Sequence, residues 1–414
     1  MACQFVPGYL LERLGRADDE GMRARRGQRH TLAPTTAGAA WEIHDAESGS
    51  TLPGRLVRSA GDPEVVDPAV NEAAIGIIET LALYTDLGRS SYDGNGATVL
   101  ASVHYEQDYD NAFWEGSQLV LGDGDGTVFG RFTTPIDVLG HELSHALTEF
   151  TANLTYQGQS GALNESVSDV LGACIKQRHL GQDAAAADWL VGEGIFLDGV
   201  NGTALRSMGS PGTAYDDPHL GKDPQVGSMA DYVEMTEDNG GVHVNSGIPN
   251  RAFVLAARAI GGASWSGAGR IWYAALTSGI AADTDFAGFA AATVAAAGEH
   301  ATAVSEAWTA VGVTPGASSR VASAAPTVRA VEVVRTGGFA GLRRHGTVDL
   351  HSEDPRAPRA AELVRRIDFA ADAHDLPQPD RFSYCFRHDG AECVVPEQAL
   401  TTDQRALADL LLGD

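Results

Sequence analysis

The stretch Ile136-Asp-Val-Leu-Gly-His141-Glu142-Leu-Ser-His145-Ala-Leu-Thr-Glu149-Phe150 decides how the rest of the chain is read. Its apolar residues recur at helical spacing. On one helix His141 and His145, at i and i+4, share a face, so two imidazoles can bind one zinc ion. Glu142 sits beside them and can serve as general base toward a water at the metal. The bland alternative is a surface helix with two solvated histidines. By composition such a pattern arises in roughly a few per cent of chains of this length, so its neighbours must decide.

A catalytic zinc usually has three protein ligands and one open position. Twenty residues after His145 stands Glu165, in the run Asn164-Glu-Ser-Val-Ser-Asp169 on the next helical segment. Glu165 can supply the third ligand. Asp169, one turn further on, can accept the remaining imidazole N–H of a ligand histidine. A third cluster is Asp238-Asn-Gly-Gly-Val-His243. Peptide hydrolysis builds negative charge on a carbonyl oxygen, which needs donors besides the metal. His243 suits that role, with Asp238 orienting it and raising its pKa, and Tyr156 can add a phenolic donor.

Outward from this centre the texture divides. Residues 41–134 are rich in Gly, Asp, Asn, Thr and aromatics, with short runs such as Ala97-Thr-Val-Leu-Ala-Ser-Val103, a strand-and-turn pattern. Residues 135–318 read as helical, including Ala162–Gln177 and much of Ile248–Val311. A β-rich half followed by a helical half implies an α+β fold with a cleft between the halves. The Arg-rich and Pro-containing stretch before residue 41 and the Pro/Gly/Ser/Ala stretch around residues 314–326 read as linkers. They divide the chain into an arm (1–40), a central unit (41–318) and a small C-terminal domain (328–414).

The 414 residues carry 55 acidic and 29 basic side chains, a formal net charge of −26. The arm is slightly basic, with six arginines against four acids, so the excess acid lies beyond it. An isoelectric point near 4.7 excludes nucleic acid and anionic membranes as partners, because phosphate contacts need clustered Lys and Arg. No apolar run of about 18 residues marks a transmembrane helix. The N-terminus has no basic region followed by a long apolar core. The expectation is therefore a cytoplasmic precursor, with any export by a non-classical route.

Taken together, Asn111-Ala-Phe-Trp, Gly122-Asp-Gly-Asp-Gly, His141-Glu-Leu-Ser-His, the run from Tyr156 to Asp169, Leu205-Arg-Ser-Met and Asp238-Asn-Gly-Gly-Val-His resemble the thermolysin family of neutral zinc endopeptidases, in order and spacing over about residues 41–313. The resemblance is to its protealysin-like branch. It implies a two-lobed peptidase with one catalytic zinc held by His141, His145 and Glu165, and Glu142 as base. His243 and Tyr156 would stabilise the developing oxyanion, Asp238 would support His243, and Asp169 would support a ligand histidine. Asn111 and Ala112 would hold the substrate backbone and Arg206 a substrate carbonyl. Phe129, Phe132, Val138 and Leu205 would line a pocket for a bulky apolar residue on the C-terminal side of the cut bond.

In thermolysin-like enzymes with paired calcium ions a carboxylate cluster flanks the active-site helix. Asp137, Asp188 and Glu193 match it, but Lys176 and Leu190 stand where two further carboxylates would be. An ammonium can replace a cation's charge and cannot ligate a metal. The expectation is no calcium pair and at most one calcium, with oxygen ligands.

The arm, with Pro7-Gly-Tyr-Leu-Leu11, resembles the short propeptide of protealysin-like precursors. Within it Cys3 is a candidate inhibitory zinc ligand, since thiolates bind zinc strongly. Arg335-Thr-Gly-Gly-Phe-Ala-Gly341 and the helix after it resemble emfourin, a small protein inhibitor. The implied protein is a precursor peptidase acting on proteins or peptides, regulated by its own arm and its C-terminal domain. The alternative is a silent scaffold acting as an inhibiting or binding protein.

Overall fold

The computed structural model describes residues 3–16, 38–316, 330–337, 344–350, 354–364, 366–367, 382–388 and 391–412. The chain forms two compact units, residues 1–319 and 320–414.

In the first unit, strands β1 (Cys3–Gln4), β2 (Trp41–Asp45), β3 (Arg55–Ser59), β4 (Val99–Val103), β5 (Ala112–Trp114) and β6 (Leu119–Leu121) form one sheet in the order β1-β5-β6-β4-β2-β3. The pairs β2/β4 and β4/β6 are parallel and the others antiparallel. The arm supplies helix α1 (Gly8–Arg13) as well as the edge strand β1. Between β3 and β4 runs helix α2 (Pro68–Asp86), which the strand-and-turn reading of residues 41–134 does not anticipate. Its start follows ordinary rules. Asp67 caps the Ala69 N–H at 2.9 Å and Pro68 occupies the first turn.

Helices α3 (Ile136–Glu149) and α4 (Gly158–Leu180) form the centre. Every residue from Asp137 to Thr148 is buried, so this helix has no solvent face. Tyr84 of α2 donates its hydroxyl to the Leu143 carbonyl at 3.1 Å, pinning α3 from the sheet side. Two glycines let α3 and α4 approach closely. A Cβ on Gly140 would lie 2.7 Å from Ile175 Cδ1, and one on Gly172 would lie 2.7 Å from the Asp137 carbonyl oxygen. The second contact is with backbone, which cannot rotate away.

Short hairpins β7 (Leu190–Val191) with β8 (Arg206–Ser207), and β9 (Asp216–Asp217) with β10 (Gly221–Lys222), lead into the helical half. It comprises α5 (Asp238–Asn245), α6 (Gly247–Ile260), α7 (Ala268–Leu276), α8 (Phe286–Ala296) and α9 (Ala301–Ala310). Trp272 and Trp308 stack at 6.0 Å inside it, and Phe253 meets Trp272 edge-on at 5.1 Å. Among the described residues no helix is long and apolar enough to cross a membrane.

The second unit is an antiparallel sheet of β11 (Ala330–Gly337), β12 (Arg344–Asp349), β13 (Phe382–His388) and β14 (Ala391–Pro396), in the order β12-β11-β13-β14. Helices α10 (Ala357–Val364) and α11 (Thr402–Leu412) complete its core with Val331, Val333, Phe386, Leu363, Leu407 and Leu411. Thr401 and Gln404 cap α11 reciprocally, at 2.9 and 3.2 Å. The helix after the Arg335-Thr-Gly sequence is Ala357–Val364. Residues 368–381, and 338–343 after the Arg335-Thr-Gly sequence, lie outside the described residues.

Gly172→Val is expected to force α3 and α4 apart and cost about 1–3 kcal/mol. Urea unfolding measures that loss, and equilibrium dialysis is expected to show weaker zinc binding, because the two helices carry the three metal-donor residues.

Candidate active site

A helix buried on all sides can carry polar groups only if each finds a partner. On α4 the polar run Asn164 to Asp169 faces the two histidines of α3. His141 and His145 Nε2 atoms lie 3.0 Å apart, and Glu165 carboxylate oxygens lie 3.5 and 3.7 Å from them. Donors spaced tetrahedrally around one zinc at ordinary bond lengths are about 3.4 Å apart. Among the described residues this is the one group of three or more His, Cys, Asp and Glu whose donor atoms all lie within 4.8 Å of one another. Two imidazoles and a carboxylate are a donor set that zinc favours.

The candidate donor atoms are fixed from behind. His141 Nδ1 donates to Asp169 at 2.8 Å and His145 Nδ1 to Asn164 Oδ1 at 2.8 Å, which turns both Nε2 lone pairs inward. Burial lowers the His145 pKa to about 4, keeping that imidazole neutral as a ligand must be. Burial raises Glu165, but His243, His145 and His141 outweigh it and bring it to about 2. Asp169 accepts from Arg206 (2.8 Å) and Asn250 (2.8 Å) as well as His141. Its carboxyl, though buried, is held well below the usual range, chiefly by Arg206.

Glu142 is fully buried. Its Oε2 accepts the Trp114 N–H at 3.0 Å, and its Oε1 has no hydrogen-bond partner among the described residues. Burial, then the charge of Glu165, raises its pKa well above the carboxylate range. A buried orphan oxygen 4.0 Å from His141 Nε2 suits a group that meets a water or a metal.

His243 approaches from α5. Asp238, Asn239, Gly240 and Gly241 all have φ between 50° and 82°, and this left-handed turn swings Asp238 back. Gly240 has φ 82° and a Cβ there would lie 3.1 Å from the Gly158 backbone nitrogen, so the position favours glycine. Asp238 accepts both the His243 backbone N–H (2.9 Å) and Nδ1–H (2.5 Å). Burial lowers the His243 pKa, yet Glu165 and Asp238 outweigh it and raise it to about 9. Tyr156 donates to Glu165 and its hydroxyl lies 3.4 Å from His243 Nε2. A cavity of about 200 Å³ lined by Trp114, His145, Glu149, Leu154, Tyr156 and Asn164 adjoins this group.

The arm lies across the metal group. Strand β1 pairs antiparallel with β5, Cys3 opposite Trp114 and Gln4 opposite Phe113. The Phe5 N–H donates to the Ala112 carbonyl (3.0 Å) and the Val6 N–H to Asn111 Oδ1 (2.8 Å). Arg206 Nη1 donates to the Phe5 carbonyl at 3.0 Å. The Phe5 ring is fully buried, edge-on to His141 at 5.3 Å and 4.5 Å from the Arg206 guanidinium carbon. It belongs to one buried apolar cluster with Phe129, Phe132, Val138 and Leu205. Arg16 closes the arm with ion pairs to Asp110 and Asp125. The Cys3 side chain lies outside the described residues.

Thus the metal donors, Glu142, Tyr156, Asp238, His243, Asp169, Asn111, Ala112 and Arg206 converge on one cleft. Sequence reading missed four participants. Asn164 and Asn250 orient His145 and Asp169, the Trp114 amide holds Glu142, and Phe5 is buried between His141 and Arg206. Asn164 lies inside the quoted run beside Glu165, whereas Asn250 and Phe5 carry no local signal.

Beside α3, Lys176 Nζ donates to Asp188 (3.2 Å), to the Leu190 carbonyl (3.3 Å) and to Glu193 (2.8 Å). Asp137 is buried with one oxygen on the Gly192 N–H. Burial raises its pKa to about 6, with Lys176 opposing. A carboxyl whose folded pKa is raised favours folding at low pH and loses that contribution as pH rises through about 6. Lys176→Met removes the opposing charge, so the gap in unfolding free energy from wild type is expected to widen from pH 5 to pH 8, reaching about 1–3 kcal/mol. Urea titrations across that range test it. Asp169→Asn is expected to weaken zinc binding about 10–100-fold, read by competition with a chromophoric chelator.

Comparison with known proteins places this geometry. Residues 26–149 match the thermolysin metallopeptidase catalytic domain, residues 152–313 its alpha-helical domain, and residues 333–412 Emfourin. The chain is 46% identical over 334 residues to an extracellular metalloprotease of Pectobacterium carotovorum subsp. carotovorum, covering 75% of this chain and 96% of that protein. It is 50% identical over 256 residues to Protease PrtS of a Photorhabdus species, covering 61% and 69%. The precursor of protealysin, a metalloproteinase from Serratia proteamaculans, superposes with a TM-score of 0.69 at 48% identity, covering 75% of this chain and all of that one. The expected cytoplasmic location does not stand. The Pectobacterium relative and a Serratia marcescens relative, 60% identical over 129 residues (31% of this chain and 37% of that protein), are both named extracellular, which points to secretion. The chain belongs to the thermolysin family of metallopeptidases and carries an emfourin domain.

Proposed function

We propose that this metalloprotease is a latent zinc endopeptidase that cuts on the N-terminal side of bulky apolar residues. The observation that carries the reading is the triangle of His141, His145 and Glu165 beside the buried Glu142, whose Oε1 has no partner among the described residues. Zinc bound by that set would supply the Lewis acidity that acidifies water and polarises a carbonyl. Glu142 Oε1 takes a proton from the attacking water and delivers it to the leaving nitrogen. His243 Nε2–H and the Tyr156 hydroxyl donate to the carbonyl oxygen as its charge grows, and Asp238 keeps His243 protonated. Asn111 and the Ala112 carbonyl hold the substrate backbone, Arg206 holds the carbonyl after the cut bond, and the pocket around Leu205 takes the apolar side chain. The burial of Phe5 supports this preference.

The arm (1–40) acts as an intramolecular inhibitor of the peptidase (41–318), since it fills the groups that would hold substrate. The C-terminal domain (328–414) acts as a second regulator, a reading supported by its match to Emfourin. At the Asp137, Asp188 and Glu193 cluster the Lys176 ammonium takes the place of calcium charge, leaving room for at most one calcium.

The test uses the full chain with zinc and an internally quenched peptide containing a Gly–Leu bond. Cleavage before Leu, abolished by a zinc chelator, is expected. Phe5→Gly with Arg16→Ala loosens the arm and is expected to raise the rate, as is high salt, which screens the exposed part of the Arg16 ion pairs. Glu142→Gln in the loosened background is expected to lower kcat about 10²–10⁴-fold while zinc content is unchanged. Retention of full activity by Glu142→Gln would remove the general-base assignment.

A further inference from the structure

We propose that the peptide bond between Gln4 and Phe5 is a self-cleavage site, held by the arm as a substrate is held and not as an inert plug. The inference rests on the peptidase reading above. It goes further because it fixes which bond of this chain faces the reacting groups.

Five contacts define the register. His243 Nε2–H donates to the Gln4 carbonyl oxygen at 3.1 Å, the position at which charge would build in hydrolysis. With Asp238 on Nδ1, both ring nitrogens of His243 face acceptors, as an imidazolium requires. The next nitrogen, that of Phe5, is 3.0 Å from the Ala112 carbonyl, which would keep its hydrogen bond as the nitrogen becomes an amine. The next carbonyl, that of Phe5, is held by Arg206 at 3.0 Å. The next amide, that of Val6, is held by Asn111 Oδ1 at 2.8 Å, and Asn111 Nδ2 returns a bond to the Val6 carbonyl at 3.0 Å. The side chain buried after the Gln4 carbonyl is Phe5, a bulky apolar residue. A segment running the other way along β5 would exchange its N–H and C=O directions. A segment one residue out of register would turn its side chains to the opposite faces.

Hydrolysis at this bond balances simply. The Gln4 C–N bond breaks and a C–O bond forms to the oxygen of water. Glu142 takes one proton from the water and passes it to the Phe5 nitrogen, the second proton of that water follows from the new C–OH group to the same nitrogen, and the ends become a Gln4 carboxylate and a Phe5 ammonium. The cavity beside His145 and Tyr156 brings solvent to the edge of the site with the arm in place. The cut does not free the arm. Leu10 and Leu11 of α1 are buried, Arg13 donates to the Leu220 carbonyl (3.4 Å), and Arg16 pairs with Asp110 and Asp125. Residues 5–16 therefore remain docked, and only the fragment ending at Gln4 leaves.

The experiment follows intact mass and N-terminal sequence of the full chain, purified without metal and then given zinc, with the quenched peptide as a parallel reporter. The expected result is a new N-terminus at Phe5 formed at a rate independent of protein concentration. It is absent without zinc and absent in Glu142→Gln, and slowed at least tenfold in Phe5→Gly but not in Phe5→Leu. In the metal-free chain the Phe5 and Val6 amides are expected to exchange with deuterium at least tenfold more slowly than in Phe5→Gly, which reports the register without catalysis. Reporter cleavage with an intact Gln4–Phe5 bond, cleavage elsewhere in the arm, or unprotected Phe5 and Val6 amides would overturn the proposal while leaving the peptidase reading in place. Failure to cleave either substrate would overturn both.

Discussion

Asp169 carries a full negative charge with no exposed surface, and the cleft depends on the way that charge is satisfied. An uncompensated carboxylate at such depth is too costly to keep ionised. Here His141, Arg206 and Asn250 all donate to it. Each bond has a second consequence. The bond from His141 turns its Nε2 toward the metal position. Two bonds from Arg206 leave its remaining nitrogen aimed at the Phe5 carbonyl. The bond from Asn250 ties α6 to α4. One buried charge therefore orients a metal donor, a backbone-binding cation and a packing helix together. None of the three can be re-aimed without unbalancing the other two.

The grouping of the candidate metal donors was legible in the sequence because a helix converts spacing directly into position. His141 and His145 share a face by periodicity alone, and Glu165 and Asp169 repeat the same i, i+4 relation on the next helix. The carboxylate–imidazole pairing at His243 was legible because Asp238 and His243 are joined by a short glycine turn. Legibility ended where partners come from distant segments. Nothing local marks Asn250 as a donor to Asp169, or the Trp114 amide as the anchor of Glu142, since both meet their partners only after the sheet and helices pack. Helix α2 was missed for a different reason. It lies among turn-rich segments whose composition dominates a broad reading, although Asp67-Pro68 is an ordinary helix start.

Phe5 shows the same limit from the other side. The arm could be read as slightly basic, and the body as acidic. That anticipates attraction, and the Arg16 pairs with Asp110 and Asp125 give it a location. Charge does not select a register, however. Register comes from alternation along β1 and β5, from the side-chain amide of Asn111 gripping both polar groups of Val6, and from the depth to which one ring can be buried.

In the proposed function, latency and specificity share a physical origin. The pocket that holds Phe5 closes around it through Arg206 above the ring, His141 at its edge and Leu205 alongside Gly192, whose Cβ, if present, would lie 3.1 Å from the ring. A fully buried aromatic side chain is worth about 1.5–3 kcal/mol of transfer free energy, roughly one to two orders of magnitude in occupancy. Any external peptide that competes with the arm must supply a side chain of similar size while lacking the covalent tether, α1 and the Arg16 pairs. A change that narrows the pocket weakens the arm and the substrate together. A change at Asp110 or Asp125 weakens the arm alone. Under the proposed function, control of latency can therefore shift without altering what is cut, because the arm's second anchor lies outside the pocket that would read the substrate.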